Sequence, residues 1–294
     1  MHMQGTRDIL RELGLHDSDQ GELTESKSTF VDGRRHHIEI PSVEGPQAFH
    51  EVLKAAEEYG VVVDRISQGS GIMMQTNDEI KEMVNLGAEN GVEVCLFVGP
   101  RAAWDIGAQA TTKAGAVGSS VVRGADQLVY GIEDVRHGCE LGLRSVLVAD
   151  LGLLSCLNTM KAKGYLPGDL VLKVSVSLPA ANPASARALT DLGANTINLP
   201  VDLTVGQIAA IRRSTHVPLD IYIEGADDFG APVRYYEIPA IVSVAAPVHL
   251  KFTVRNAPGI YPAGGHLQDT VLATARERVR RAALGLSILS RYSS

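Results

Sequence analysis

Eight short apolar runs recur along the chain, separated by stretches of helical pattern, and several of them are polar on one face only. In segment 248–255, Val248, Leu250, Phe252 and Val254 alternate with His249, Lys251, Thr253 and Arg255. In segment 219–224, Leu219, Ile221 and Ile223 alternate with Asp220, Tyr222 and Glu224. Successive strand side chains point to opposite faces, so the split is geometric. Strands alternating with helices imply a parallel sheet, which is covered on both faces and normally reads as continuously apolar. A polar inner face therefore calls for a reason, and a reactive site in the mouth of a closed barrel supplies one. The pattern predicts a (β/α)8 TIM barrel.

Strands are expected at 36–40, 61–66, 93–98, 145–149, 170–176, 196–199, 219–224 and 248–254. Helical patterns lie between them, at 47–59, 77–90 and 134–141 among others, and a long basic amphipathic one closes the chain at 267–291. The fourth to sixth strands begin at 145, 170 and 196, a repeat that suits a minimal strand–helix unit. Gly60, Gly91, Gly142, Gly164 and Gly193 stand where helices end before the next strand. With 294 residues the chain accommodates one barrel of about 250 residues and an extension. The reading is a single domain, 36–294, preceded by a partly mobile extension at 1–35. Asp32-Gly33 marks a tight turn that closes the barrel bottom. Segment 99–127, after the third strand, is far longer than the usual connection and reads as a lid, a binding loop or an oligomer contact.

A formal net charge of -7 argues against a nucleic-acid partner. No apolar stretch is long enough to cross a bilayer, and the start lacks a signal-peptide core, so a cytoplasmic protein without a membrane partner is expected. The expected partner is a small-molecule substrate, and a homo-oligomer is left open. Cys95, Cys139 and Cys156 are too few for a disulfide framework, and their spacing matches no zinc or iron–sulfur pattern. They read as small buried hydrophobes.

The active site of such a barrel lies at the C-terminal ends of its strands. The candidates there are Glu39, Arg65, Gln68, Arg101, Asp150, Lys173, Asn198, Tyr222, Glu224, Lys251 and Arg255. Lys173 and Lys251 form the sharpest pair. A buried lysine near a second cation loses its proton more easily, and the free amine forms a Schiff base or acts as a base. Either lysine could instead neutralise Glu39 or Glu224. Those two acids are the candidate acid–base groups, because burial raises a carboxyl pKa. Lys173, Glu224 and Lys251 are all expected to point into the barrel. Glu39, Asp150 and Glu224 together offer oxygen ligands for a divalent metal ion, so the cofactor is either none or such an ion. Gly264, Gly265 and His266 lead into the last helix, and with Arg255 they offer an anion site of backbone N–H groups and a guanidinium.

Several motifs carry a family resemblance: Ile38-Glu39-Ile40-Pro41-Ser42-Val43-Glu44-Gly45, Arg65-Ile66-Ser67-Gln68-Gly69-Ser70-Gly71, Phe97-Val98-Gly99-Pro100-Arg101, Tyr236-Glu237-Ile238-Pro239 and segment 251–266. Through them the chain resembles bacterial, mainly actinobacterial, collagenase-like peptidases of the U32 family, over most of 36–292. The resemblance implies a barrel fold and a peptidase-like hydrolase. Characterised members of the wider family carry cysteines beside a His-Gly signature, and many bind an iron–sulfur cluster through four cysteines. This chain has neither feature, so no iron–sulfur cluster is expected.

Three functions compete on these residues. The first is an intracellular enzyme acting on a small, polar, anionic carbonyl compound by acid–base or Schiff-base chemistry, as a lyase, isomerase or hydrolase. The second is the peptidase-like hydrolase. The third is a non-catalytic ligand-binding barrel whose charges form only a structural network.

Overall fold

The computed structural model describes residues 3–20, 23–105, 107–230 and 232–292, without the side chains of Val117 and Phe229. A short helix α1 (Gln4–Glu12) precedes strand β1 (His36–Pro41). There follow α2 (Pro46–Tyr59), β2 (Arg65–Gln68), α3 (Asn77–Asn90), β3 (Glu93–Phe97), α4 (Gly124–Glu140) and β4 (Ser145–Val148). The second half runs α5 (Leu151–Ala162), β5 (Val171–Val174), α6 (Pro183–Asp191), β6 (Thr196–Asn198), α7 (Val205–Arg212), β7 (Leu219–Glu224), α8 (Ile238–Ala245), β8 (Val248–Phe252) and α9 (Gln268–Tyr292). The eight strands pair in parallel and in sequence order, and β8 closes on β1. This is the expected (β/α)8 barrel.

The alternation read from the sequence decides what each face does. Every strand turns an aliphatic residue outward to the helices: Ile40, Ile66, Leu96, Val146, Leu172, Ile197, Ile221 and Leu250 are all fully buried in one core. Each contributes roughly 1.5–3 kcal/mol when buried. That girdle carries the fold while the opposite faces hold polar groups. Local signals set the helix boundaries. Thr76 and Glu79 form a reciprocal capping box at the start of α3, and Thr204 with Gln207 does the same for α7. α3 stops at Gly91, whose φ of 66° is left-handed and cheap only for glycine.

Some boundaries differ from the sequence reading. β2 begins at Arg65 rather than 61, because Asp64 Oδ2 accepts from the Ile38 N–H at 2.8 Å and replaces a ladder bond. α4 begins ten residues before the predicted 134. Its Gly131 lets the helix approach the Gly99 carbonyl so closely that an added Cβ would lie 3.3 Å from that oxygen.

Residues 23–35 cross the N-terminal end of the barrel. The Ser26 N–H donates to the Ser243 carbonyl at 2.8 Å. Phe30 stacks on His37 with ring centroids 3.6 Å apart and meets His249 edge-on at 4.9 Å. Among the described residues, no helix is long and apolar enough to cross a membrane.

Asp134 anchors the long connection after β3, its Oδ2 accepting from the Gly99 N–H at 2.9 Å. Burial pushes this carboxyl up to about 7. An acid whose folded pKa is raised stabilises fully below its unfolded pKa, and that contribution is lost as pH rises toward the folded value. Asp134→Asn keeps an acceptor oxygen and removes the charge. Denaturant titrations should show no gain for this variant near pH 4. The gain should grow to the order of 1–3 kcal/mol by pH 8. A difference independent of pH would contradict the buried-charge account.

Candidate active site

The inward faces of β1, β2, β3, β5, β7 and β8 build one ion network. Glu39, fully buried, is its hub. One carboxylate oxygen takes the Lys173 Nζ, and the other lies 3.0 Å from the Lys251 Nζ and accepts from Ser67 Oγ at 2.7 Å. Arg65 reaches Glu39 at 3.4 Å, Asp220 at 3.3 Å and Glu93 at 2.9 Å. Lys173 also lies 3.1 Å from Asp220 Oδ2, while Thr196 Oγ1 donates to Asp220 Oδ1 at 2.8 Å. Lys251 donates to Asn198 Oδ1 at 2.6 Å, and Asn198 donates to the Val174 carbonyl. Burial opposes the ionisation of Glu39, but Lys173 and Lys251 outweigh it and hold the carboxyl well below its usual range. Asp220 is likewise depressed against burial, by Lys173, His249 and Arg65. Burial, then Arg65, lowers the His249 imidazole.

Above this network, toward the C-terminal strand ends, lies a cavity of about 570 Å³. Phe97, Leu147, Ser175 and Tyr222 line it from the strands and their ends. Ser119 and Ser120 line it from the long connection, Ser177 from the β5 loop, Asp228 from the β7 loop and Tyr261 from the β8 loop. Arg101 enters from the β3 loop. Its guanidinium lies 3.8 Å from the Phe97 ring centroid and 4.0 Å from that of Trp104, and it donates to the Gly69 carbonyl. Its Nε is buried without a hydrogen-bond partner among the described residues. Burial lowers Arg101 to about 10, so it stays cationic at neutral pH. Tyr222 separates the two levels: its ring sits 4.4 Å from Lys251 Nζ. Burial raises its phenol pKa, which keeps it protonated.

The candidate residues therefore divide. Glu39, Arg65, Lys173, Asn198 and Lys251 converge as expected on the interior, but none of them lines the cavity. Arg101 and Tyr222 do line it. Glu224 corrects the reading. The pairing slips between Tyr222 and Glu224, which sets Glu224 beside outward-facing Phe252. Its carboxylate accepts from Tyr235 Oη at 2.7 Å and from the Arg255 N–H at 3.1 Å, away from both lysines. Gln68 also faces away from the interior. Its amide donates to the Gly71 carbonyl and accepts from the Gly71 N–H, closing a tight loop. Asp150 caps α5 by accepting from the Leu153 N–H at 2.8 Å. Glu39, Asp150 and Glu224 thus have separate partners. Among the described residues, no group of three His, Cys, Asp or Glu is placed to hold a metal ion.

The anion site built on Arg255 is overturned as well. That side chain is 45% exposed and pairs with Asp227 at 3.3 Å, because the β8 loop leaves the barrel directly after Thr253. Gly264, Gly265 and His266 are exposed and take no part in the cavity. Cys95 is buried inside the barrel, and burial pushes its thiol up to about 12, leaving it protonated and unreactive at neutral pH.

Tyr261 and Asp228 escaped the sequence reading, since both lie in loops outside any periodic pattern. Tyr261 packs on Gly69 so closely that an added Cβ there would lie 2.4 Å from its ring, and its hydroxyl bonds to Ser42. The glycine-rich turn after β2 is therefore a seat for this tyrosine. Glu44 holds the turn by accepting from the N–H groups of Gly69 and Ser70.

A model of peptidase family U32 matches residues 117–229, which supports the family resemblance over that stretch. No curated protein matches the chain. Among solved structures, the U32 peptidase Mk0906 is similar at 18% identity and a TM-score of 0.42, over 69% of this chain and 72% of that one. The YdjI aldolase from Escherichia coli K12 is similar at 14% identity and a TM-score of 0.48, over 88% of this chain and 90% of that one. Thiamine phosphate pyrophosphorylase from Pyrococcus furiosus is similar at 11% identity and a TM-score of 0.46, over 87% and 96% respectively.

The network makes a pH-dependent demand on stability. A carboxyl with a depressed folded pKa stabilises above its unfolded pKa, and this is lost as pH falls through the folded value. Glu39→Gln should cost on the order of 3–5 kcal/mol at pH 7, since it leaves two lysines short of their partner. The deficit against wild type should shrink as pH drops below about 4. Urea titrations from pH 7 to 3 test this, and a constant deficit would refute it.

Proposed function

We propose that this chain is an enzyme whose active site is the mouth cavity rather than the ion network beneath it. Its substrate is a small polar compound with an anionic group and a carbonyl. Arg101 binds the anion, and Tyr222 donates a hydrogen bond to the carbonyl oxygen, where negative charge develops in acid–base chemistry. The observation that carries this reading is the Arg101 guanidinium, clamped between two aromatic rings at the cavity wall and the one cationic side chain among the described residues that line it. A planar guanidinium held in this way is preorganised for a carboxylate or phosphate. Tyr222, a protonated phenol, lines the same cavity.

The Schiff-base route is not favoured. Lys173 and Lys251 are both engaged by Glu39 and lie under the cavity floor. A peptidase-like hydrolase is the second reading, favoured by the family match. The matched stretch supplies Ser119, Ser120, Ser175, Ser177, Tyr222 and Asp228 to the cavity. No histidine lines the cavity among the described residues, so those serines have no imidazole base beside them.

Calorimetric titration with a panel of small keto acids and carboxylates tests the proposal. At least one should bind, and Arg101→Ala should weaken it by about 2–5 kcal/mol, with Arg101→Lys restoring only part. Borohydride should trap no adduct on Lys173 or Lys251. Binding unchanged in Arg101→Ala would reject the assignment. Hydrolysis of unmodified peptides, lost in serine-to-alanine variants of the cavity, would favour the second reading.

A further inference from the structure

Resting on the Arg101 anion contact of that reading and not on its carbonyl, we propose that the cavity selects a small zwitterion with an apolar body, its carboxylate on Arg101 and its ammonium on Asp228. Among the described residues that line the cavity, Arg101 is the one cationic side chain and Asp228 the one carboxylate. A site built for a simple anion gains from an excess of positive charge, whereas this lining is balanced. No ion pair joins Arg101 to Asp228, so the two charges do not serve each other. The adjacent acid shows the contrast. Asp227 accepts from Arg255 Nε at 3.3 Å and from the Asn256 N–H, which fixes it on the outer side of the loop. Among the described residues Asp228 makes no such bond, and it lines the cavity. Phe97, Leu147, Val176 and Pro179 supply apolar wall between the charges. A volume of about 570 Å³ lies within the ordinary range for small-molecule sites.

Two kinds of molecule share this chemistry, a free α-amino acid and a short peptide with both termini free. They differ in the distance between their charges. Asp228 is exposed, so it adds little affinity and acts mainly by discrimination against ligands that lack an ammonium.

Four probes test the proposal by calorimetric titration of the full chain: leucine, leucyl-leucine, 4-methylpentanoate, which lacks the amine, and leucinamide, which lacks the carboxylate. One of the two zwitterions should bind at least about fivefold more tightly than both 4-methylpentanoate and leucinamide. Which zwitterion leads identifies the source. Asp228→Asn should erase the preference over 4-methylpentanoate without weakening 4-methylpentanoate itself. Arg101→Gln should weaken every carboxylate probe. Asp228 is exposed and pairs with no other described residue, so its variant should keep the wild-type circular dichroism and melting temperature. If 4-methylpentanoate binds as tightly as both zwitterions and still needs Arg101, the zwitterion proposal fails while the anion reading stands. A preference that survives in Asp228→Asn overturns it equally. If no probe binds at up to about 10 mM, it fails for this apolar body, and the keto-acid panel then decides the anion reading alone.

Discussion

The Glu39 carboxylate is the interaction on which the interior depends. It draws Lys173 from β5, Lys251 from β8, and Arg65 and Ser67 from β2 onto one residue of β1. Moving an ion out of water costs several kcal/mol even after relaxation, so each of these side chains is a liability alone. Together they come close to cancelling. Lys173, Lys251 and Arg65 face Glu39, Asp220 and Glu93, and hydroxyls of Ser67, Thr196 and Ser145 fill remaining acceptor sites. A barrel interior that would ordinarily be filled by branched apolar side chains is filled here by paired charge. The cost of pairing is loss of freedom: a lysine amine held between carboxylates is poorly placed to attack a carbonyl.

The division between stability and chemistry follows. Below Tyr222 the polar groups bond to one another. Above it, Arg101 and Asp228 line the cavity, and among the described residues no ion pair joins them. Tyr222 belongs to both levels, since its ring covers Lys251 and its side chain forms part of the cavity lining. Coulomb interactions strengthen in a low-dielectric interior, so the charges beneath this ring still set the potential of the floor above.

How much of this was legible depends on which quantity a sequence encodes. A period of two states which face of a strand a residue occupies, and on that basis Lys173, Lys251, Glu39, Arg65 and Asn198 fell on the correct face. Periodicity does not state depth along the barrel axis. Nor does it state which partners a side chain meets across the barrel: Lys173 pairs in register with Leu147, which lines the cavity, yet its amine is taken by Glu39 and Asp220. Nor does it announce a slip in register. One irregularity between Tyr222 and Glu224 turned a predicted catalytic acid outward, as a one-residue shift in a strand must. Arg255 failed for a related reason, since the alternation was extended past the end of β8 into a loop where it has no force. Tyr261 and Asp228 carried no periodic signal at all. Only the tertiary course of their loops, with Tyr261 seated on Gly69, brings Tyr261 into the cavity.

The cavity is also composite in origin. The stretch that matches the peptidase family gives it the serines, Tyr222 and Asp228, while Arg101, Phe97, Gly69 and Tyr261 come from outside that match. The ion network divides in the same way: Lys173 and Asp220 lie within the matched stretch, and Glu39, Arg65 and Lys251 lie outside it. The cation at the cavity wall and the hub of the network therefore belong to the part of the chain outside the match. Function resides in a site rather than in a fold or a segment. The group that distinguishes this site is the guanidinium clamped between Phe97 and Trp104. Rotamer freedom lost to such a clamp is lost before any ligand arrives, so on the proposed reading a carboxylate would gain its hydrogen bonds without the ordering cost that a mobile arginine imposes.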